Sequence, residues 1–380
     1  MSQHPSIAII GAGPAGLTAA NILSKHGWDF TVFEADRSAT SREQGGSLDL
    51  HPHEGQLALK KAGLLDTFMA SARHEGQELR IVDYSSAALL SHELPEPGSS
   101  ERPEMDRRVL RELLLTPLDD SKIRWNTRID SLSERHDGKY ILHTASGLIE
   151  TFDLVIGADG AWSKVRAALT EEHPVYTGVT FVELIIDNVD QRHPEEAKRV
   201  GQGSMFALHE HKGIIAQRNG NNVIRVYAAF RTRPEETDRP DKTLSSLSLD
   251  DLLARFEGWS PSLLSLIAKA DSIVAVRPIV TLPPAHRWSP QDGLTLIGDA
   301  AHVMPPLGVG VNLAMLDAAE LAEALVNSAD WRLAVRNSEQ AMLTRSHVIS
   351  EQCARALQQM FSEEGSHAAL DDRNEKHPSA

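Results

Sequence analysis

Ser6-Ile7-Ala8-Ile9-Ile10-Gly11-Ala12-Gly13-Pro14-Ala15-Gly16-Leu17, answered by Phe30-Thr31-Val32-Phe33-Glu34, is the stretch that decides the fold. A short apolar run ends in glycines. Leu17, Ala20 and Leu23 follow at helical spacing, and Phe30–Phe33 is rich in strand formers. The order is strand, tight turn, helix, strand. The three glycines differ in what they do. Gly11 permits the turn, Gly13 lets a pyrophosphate approach the backbone, and Gly16 lets helix and sheet pack closely. Pro14 and Ala15 open a helix whose unpaired N–H groups and positive dipole end face the phosphates. Glu34 is placed to accept hydrogen bonds from ribose hydroxyls, and its charge would repel a 2′-phosphate. This fold therefore suits FAD or NAD better than NADP.

Working outward, 380 residues suffice for two domains with a substantial core. The composition, 41% hydrophobic and 24% charged, is that of a globular protein. A net charge of −15 argues against a nucleic-acid partner, which would be gripped through clustered Lys and Arg. A single cysteine, Cys353, excludes an internal disulfide and a cysteine-rich metal site. The apolar stretch Ile7–Leu23 is broken by glycines and lacks a basic leader, so neither a membrane span nor a secretory signal is expected. The expectation is a cytoplasmic monomer.

Between Ile129 and Gly157 short runs alternate with turns, as in a small meander that feeds back into the main sheet. From Thr177 the pattern becomes β-rich, with strands expected at Thr180–Ile186, Gly213–Gln217 and Asn222–Phe230 and a hairpin turn at Asn219-Gly220. Leu294–Ile297 is again a short buried strand, and helices are expected over Val311–Val326 and Trp331–Glu363. The predicted fold class is α/β. A Rossmann-type FAD-binding domain is expected over residues 1–176 and 285–328, with a β-rich substrate domain at 177–284. A C-terminal helix at 329–363 and a disordered tail at 364–380 complete the expectation.

Gly157-Ala158-Asp159-Gly160 and Gly298-Asp299-Ala300-Ala301-His302 add two further motifs. With the first fingerprint, they resemble the three motifs of class A flavoprotein monooxygenases, in order and across most of the chain. The resemblance implies that Asp299 hydrogen-bonds the ribityl chain of FAD. It implies too that Asp159 shapes a loop associated with the flavin pyrophosphate and the nicotinamide donor. Pro305-Pro306-Leu307-Gly308-Val309-Gly310-Val311-Asn312 leads into a helix whose N-terminus would stabilise the charge of the reduced ring, through Pro306, Gly308, Gly310, Val311 and Asn312. No second complete fingerprint is present, so NADPH would visit transiently as electron donor.

Gly45-Gly46-Ser47-Leu48-Asp49-Leu50-His51, Lys60-Lys61-Ala62-Gly63-Leu64-Leu65 and Ser163-Lys164-Val165-Arg166 are similar to stretches of the tetracycline-inactivating monooxygenases, the tetracycline destructases. That likeness implies NADPH contact by Arg42 before the paired glycines, and FAD contact by Gly46, Asp49 and Arg107. A guanidinium at Arg107 offers a fixed fork of donors to flavin or phosphate oxygens. Glu183, Gln217 and Arg225 are candidate substrate residues by their strand positions, although Glu183 and Arg225 also fit a solvent-facing pair. The loop after Pro306 departs from the family pattern, being one residue shorter and lacking a glutamine between its glycines.

The resemblance implies hydroxylation of a polycyclic phenolic or tetracycline-like molecule by a flavin C4a-hydroperoxide formed from dioxygen. No side-chain nucleophile and no metal site is expected. His302 reads as a packed histidine more readily than a proton shuttle, and His51 and His53 as a polar loop. Three rivals stand: a hydroxylase of an aromatic polyketide in secondary metabolism, a non-oxygenating FAD reductase on the same fold, and a non-catalytic binding protein.

Overall fold

The computed structural model describes residues 4–41, 45–96, 99–135, 137–145, 147, 149–232 and 247–366. Two compact units are built from interleaved segments. The first comprises the described residues up to Ser71, Arg107–Val175 and Val280–Gln352; the second comprises Ala72–Asp106, Tyr176–Ile279 and the described residues from Cys353 on. Ala72–Asp106, expected in the first domain, thus lies in the second unit. Its strand Leu79–Val82 pairs in parallel with Ser204–His209, a non-local pairing invisible to local pattern. The C-terminal helix, Trp331–Met360, is divided between the units at Gln352, and most of the expected tail lies outside the described residues.

In the first unit five parallel strands lie in the order Leu294–Leu296, Leu154–Gly157, Ile7–Ile10, Phe30–Phe33, Ile123–Arg124. The strand Ile7–Ile10 is buried throughout, which explains its unbroken apolar sequence. The order reverses about it. Such a switch point opens a crevice outside the carboxyl ends of the strands, where open α/β sheets bind ligands. Register brings those ends level: Ile10 pairs with Phe33 on one side and Gly157 on the other, and Gly157 with Leu296. The residues that follow each strand, Gly11, Glu34, Asp159 and Asp299, therefore gather along one edge. The expected meander is present as a separate antiparallel sheet of Ser131–Glu134, Tyr140–His143 and Ile149–Phe152.

The second unit carries a seven-stranded sheet, ordered Ser272–Thr281, Val175–Ile186, Val223–Arg231, Lys212–Asn219, Ser204–His209, Leu79–Val82, Leu89–Glu93. One face, with Val182, Leu184 and Ile186, joins a core with Leu252, Leu263 and Leu266 of the helices Leu249–Arg255 and Pro261–Ala268. The other carries Val179, Phe181, Ile215 and Ala229 against Leu357 and Phe361. This two-residue alternation is what a sheet covered on both faces requires. The hairpin turn lies later than the expected Asn219-Gly220: Asn219 pairs with Val223, and Asn221 and Asn222 both have φ of 59°. Asparagine tolerates this left-handed region better than most side chains, so the pair makes the tight reversal.

Candidate functional site

Gly11 has φ of +111°, and a Cβ there would stand 2.3 Å from the Ala158 carbonyl oxygen. A Cβ on Gly16 would stand 2.0 Å from the Gly11 carbonyl oxygen. Both glycines are demanded by the protein itself. Gly13 differs, since a Cβ there would meet nothing within 4 Å. That open space lies at the start of the helix Pro14–Lys25, where Ala15 and Gly16 have N–H groups without intrahelical acceptors. It is a cradle of the kind a pyrophosphate fills.

Glu34 is half-buried and accepts hydrogen bonds from the backbone of Ala12, 2.6 Å, and of Asp36, 2.8 Å. Each carboxylate oxygen keeps a second lone pair for a ribose hydroxyl. Arg111, which in sequence is only a charged neighbour of Arg107, is buried beneath this corner. Its guanidinium donates to the Ala12 carbonyl and to Asp36, and lies 3.7 Å from Glu34. Helical phase was the signal that could have found it, since it shares the buried face of Arg107–Leu115 with Leu110 and Leu114.

Asp159 has its carboxylate engaged by its own loop, accepting from Ser163 Oγ at 2.6 Å and from the backbone of Lys164 at 2.7 Å and Val165 at 3.3 Å. Burial pushes its carboxyl above the ordinary value despite these bonds. Buried Arg166 then ties the loop to the next motif, donating to the carbonyls of Ala161 and Ala300. Asp159 is thus a shaper of the loop.

Asp299 is different. It begins the short helix Asp299–His302, is exposed to solvent, and makes no hydrogen bond with another described residue. Yet protein atoms crowd it. That crowding pushes its carboxyl upward, while His302 and Arg107 pull it down. Arg107 is itself exposed, with no hydrogen bond or ion pair from its guanidinium to a described residue, and its backbone N–H is held by the Gly46 carbonyl. An open carboxylate and an open guanidinium share one field.

The loop beyond Pro306 leads to the helix Gly310–Asn327, whose first N–H groups, at Gly310, Val311 and Asn312, have no intrahelical acceptors. A Cβ on Gly310 would lie 4.0 Å from Asp299 Oδ1, and one on Gly308 3.7 Å from Asp49 Oδ1. Asn312 serves the loop with its side chain. Its side chain is fully buried and bonded within the protein, Nδ2 to the carbonyls of Asp49 and Gly308, and Oδ1 from the backbone of His51 and Gly55. Only its backbone remains for a cofactor. His51 lies between Asp49, 3.2 Å, and Glu54, 2.9 Å; although burial opposes its charge, these carboxylates raise it to about 9. Arg42 lies outside the described residues.

In the second unit, register places Glu183 opposite Tyr227 and Gln217 opposite Arg225, so all three substrate candidates share the face of Phe181, Ile215 and Tyr227. Glu183 is buried, not solvent-facing. It accepts from Arg225 at 2.6 Å and from Arg277 Nε at 2.7 Å. Arg277 was missed because its partner is 94 residues away. Gln217 donates weakly to Glu104 at 3.4–3.5 Å.

Residues 5–332 match the family described as the FAD binding domain. The chain belongs to that family. This FAD-binding protein is 34% identical over 372 residues to Monooxygenase asqM of Emericella nidulans, covering 84% of this chain and 83% of the relative. It is 27% identical to 3-amino-4-hydroxybenzoate 2-monooxygenase PtmB3 of Streptomyces platensis, over 98% of this chain and 93% of the relative. Tetracycline destructase Tet(51) has the same fold, with a TM-score of 0.75 at 20% identity over 98% of this chain and 95% of the other. The FAD-binding protein is an enzyme, a flavoprotein monooxygenase. Among its described residues no helix is long and apolar enough to cross a membrane, and no group of three or more His, Cys, Asp or Glu could hold a metal ion.

Proposed function

We propose that this monooxygenase hydroxylates a polycyclic phenolic or tetracycline-like molecule with electrons from NADPH. The observation that carries the reading is the open carboxylate of Asp299 beside the unpaired helix start at Gly310. When bound and reduced, FAD supplies the activation of dioxygen. The protein's residues do the rest. Gly13 and the helix behind it receive the pyrophosphate, Glu34 the ribose, and Asp299 the hydroxyls of the ribityl chain. The dipole of Gly310–Asn327 favours negative charge on the reduced ring. Among the described residues the only parallel sheet of this kind is the one holding these motifs, which supports a donor that visits without a domain of its own.

The substrate class is supported by the second unit. Half-buried Phe206 and Tyr227, beside the part of the face that Leu357 and Phe361 cover, share the sheet face of Glu183, Gln217, Arg225 and Arg277. An apolar aromatic strip that ends in fixed charges suits a flat molecule with hydroxyl and carbonyl groups along one edge. Relatives include a hydroxybenzoate monooxygenase, which fits a phenolic substrate. The test is NADPH oxidation by the FAD-loaded enzyme against a panel of tetracyclines, polycyclic phenols and single-ring hydroxybenzoates, with product masses. Polycyclic members are expected to accelerate oxidation and gain one oxygen atom. Turnover of single-ring compounds alone would overturn the substrate assignment, and preference for NADH would overturn the donor.

A further inference from the structure

Behind Asp299 lies a buried chain of charges that starts at the last residue of the third motif, His302, and runs outside it. His302 Nε2 is 2.5 Å from Asp317 Oδ2, and Arg345 donates to Asp317 Oδ1 at 2.8 Å. Asp317 Oδ2 also accepts from the backbone N–H of Gly298 at 3.3 Å, the residue just before Asp299. His302 and Asp317 are 6% and 3% exposed, so bulk water screens their pairing little, and His302 Nδ1 has no partner among the described residues. Three elements meet here: the short helix Asp299–His302, the helix Gly310–Asn327, and the first-unit part of Trp331–Met360.

We propose that His302, Asp317 and Arg345 are positioning residues for the FAD site: they fix the Gly298 turn and keep a protonated imidazole beside Asp299, so that its carboxylate stays ionised to accept hydrogen bonds from the cofactor. The inference rests on Asp299 serving FAD. Its geometric ground is that an aspartate with its two oxygens engaged by His302, Gly298 and Arg345 has no room to turn. Its electrostatic ground is that His302, on the same short helix, and Arg107 are the positive charges that favour the ionised form of Asp299.

The groups that act on Asp299 are His302 on its own helix, Arg107 on Arg107–Leu115, and Asp317, which opposes them. Those that act on His302 are Asp317 and Asp299, with His286 from the loop after Thr281 and Arg345 reached through Asp317. Burial works against charge on His302, but Asp317 outweighs it and raises the imidazole above its ordinary value. Asp317 is in turn held low by His302 and Arg345 against its own burial.

The test is FAD binding by the full-length apoprotein, followed by flavin fluorescence between about pH 6 and about pH 9, for wild type, His302→Gln, Asp299→Asn and the double variant. His302→Gln keeps a donor to Asp317 and removes the titratable charge. Wild-type affinity should vary by less than about threefold, whereas His302→Gln should lose about tenfold for each unit by which Asp299 becomes harder to ionise, mostly at the acid end. Asp299→Asn should bind more weakly at every pH, and adding it to His302→Gln should abolish the new pH dependence. A uniform loss in His302→Gln, or pH dependence that survives in the double variant, overturns the inference alone. Wild-type affinity in Asp299→Asn overturns the role of Asp299 and the inference with it. Should the variants fail to fold, nitrogen NMR of histidine-labelled wild type decides: His302 carrying both ring protons at about pH 8 supports the inference, and a neutral ring refutes it.

Discussion

Replacing Gly13 by alanine separates the needs of the fold from those of the cofactor. The new methyl group enters space where no protein atom lies within 4 Å, and Gly13 already has φ of −85°, so no strain is added. Alanine is a poorer helix cap than glycine by up to about 1 kcal/mol. For an apoprotein with units of this size that corresponds to about 2–4 °C in melting temperature. The cost to FAD is larger, because the methyl group displaces a phosphate from N–H donors at the helix start. Losing two charge-assisted bonds at about 1.5–3 kcal/mol each predicts a Kd weaker by about two to four orders of magnitude. Gly16→Ala supplies the contrast: its Cβ would stand 2.0 Å from a backbone oxygen, so the fold itself must give way. The assay pairs thermal unfolding of the apoproteins with FAD titration. If Gly13→Ala bound FAD within about threefold of wild type, or melted as low as Gly16→Ala, the placement of the pyrophosphate would be wrong.

Other predictions follow from named contacts. His51, raised from 6.5 to about 9, contributes stability that is fully present below pH 6.5 and lost as pH rises through about 9. With part of that side chain in solvent, this amounts to about 1–3 kcal/mol, and urea unfolding at pH 6 and pH 10 should show the difference in wild type but not in His51→Gln. Asn312→Ala removes four internal hydrogen bonds and should cost the apoprotein about 2–4 kcal/mol in the same assay, whereas a loss below about 1 kcal/mol would mean the loop is held by other means. Glu183→Leu leaves buried Arg225 without its counter-charge and should destabilise by about 3–5 kcal/mol, with Glu183→Gln milder.

What the sequence disclosed follows from how locally each demand is made. Gly16 is dictated by the backbone of Gly11 in the same turn and Gly11 by its own φ of +111°, so their identity could be read directly. Asp299 was legible because it follows a buried strand in a short motif. Asn312 was legible as part of the helix start but not in its side-chain bonds, because its partners Asp49, His51 and Gly55 lie 257–263 residues away. Arg111, Asp317, Arg345 and Arg277 were overlooked for the same reason. In Asp317 a signal existed, a carboxylate within the apolar run Leu313–Ala322, but only the fold supplies the histidine and arginine that answer it. The second unit was recognised by alternation, whereas the share of Ala72–Asp106 in it depended on one parallel pairing.

The most direct test of the central claim is turnover of the FAD-loaded enzyme with NADPH and a polycyclic phenol under isotopically labelled dioxygen, read by mass spectrometry of the product. Oxygen transfer predicts a product carrying one labelled atom from the gas, in proportion to the NADPH consumed. A product without label, or substrate-stimulated NADPH oxidation that yields only a reduced or unchanged substrate, would contradict it.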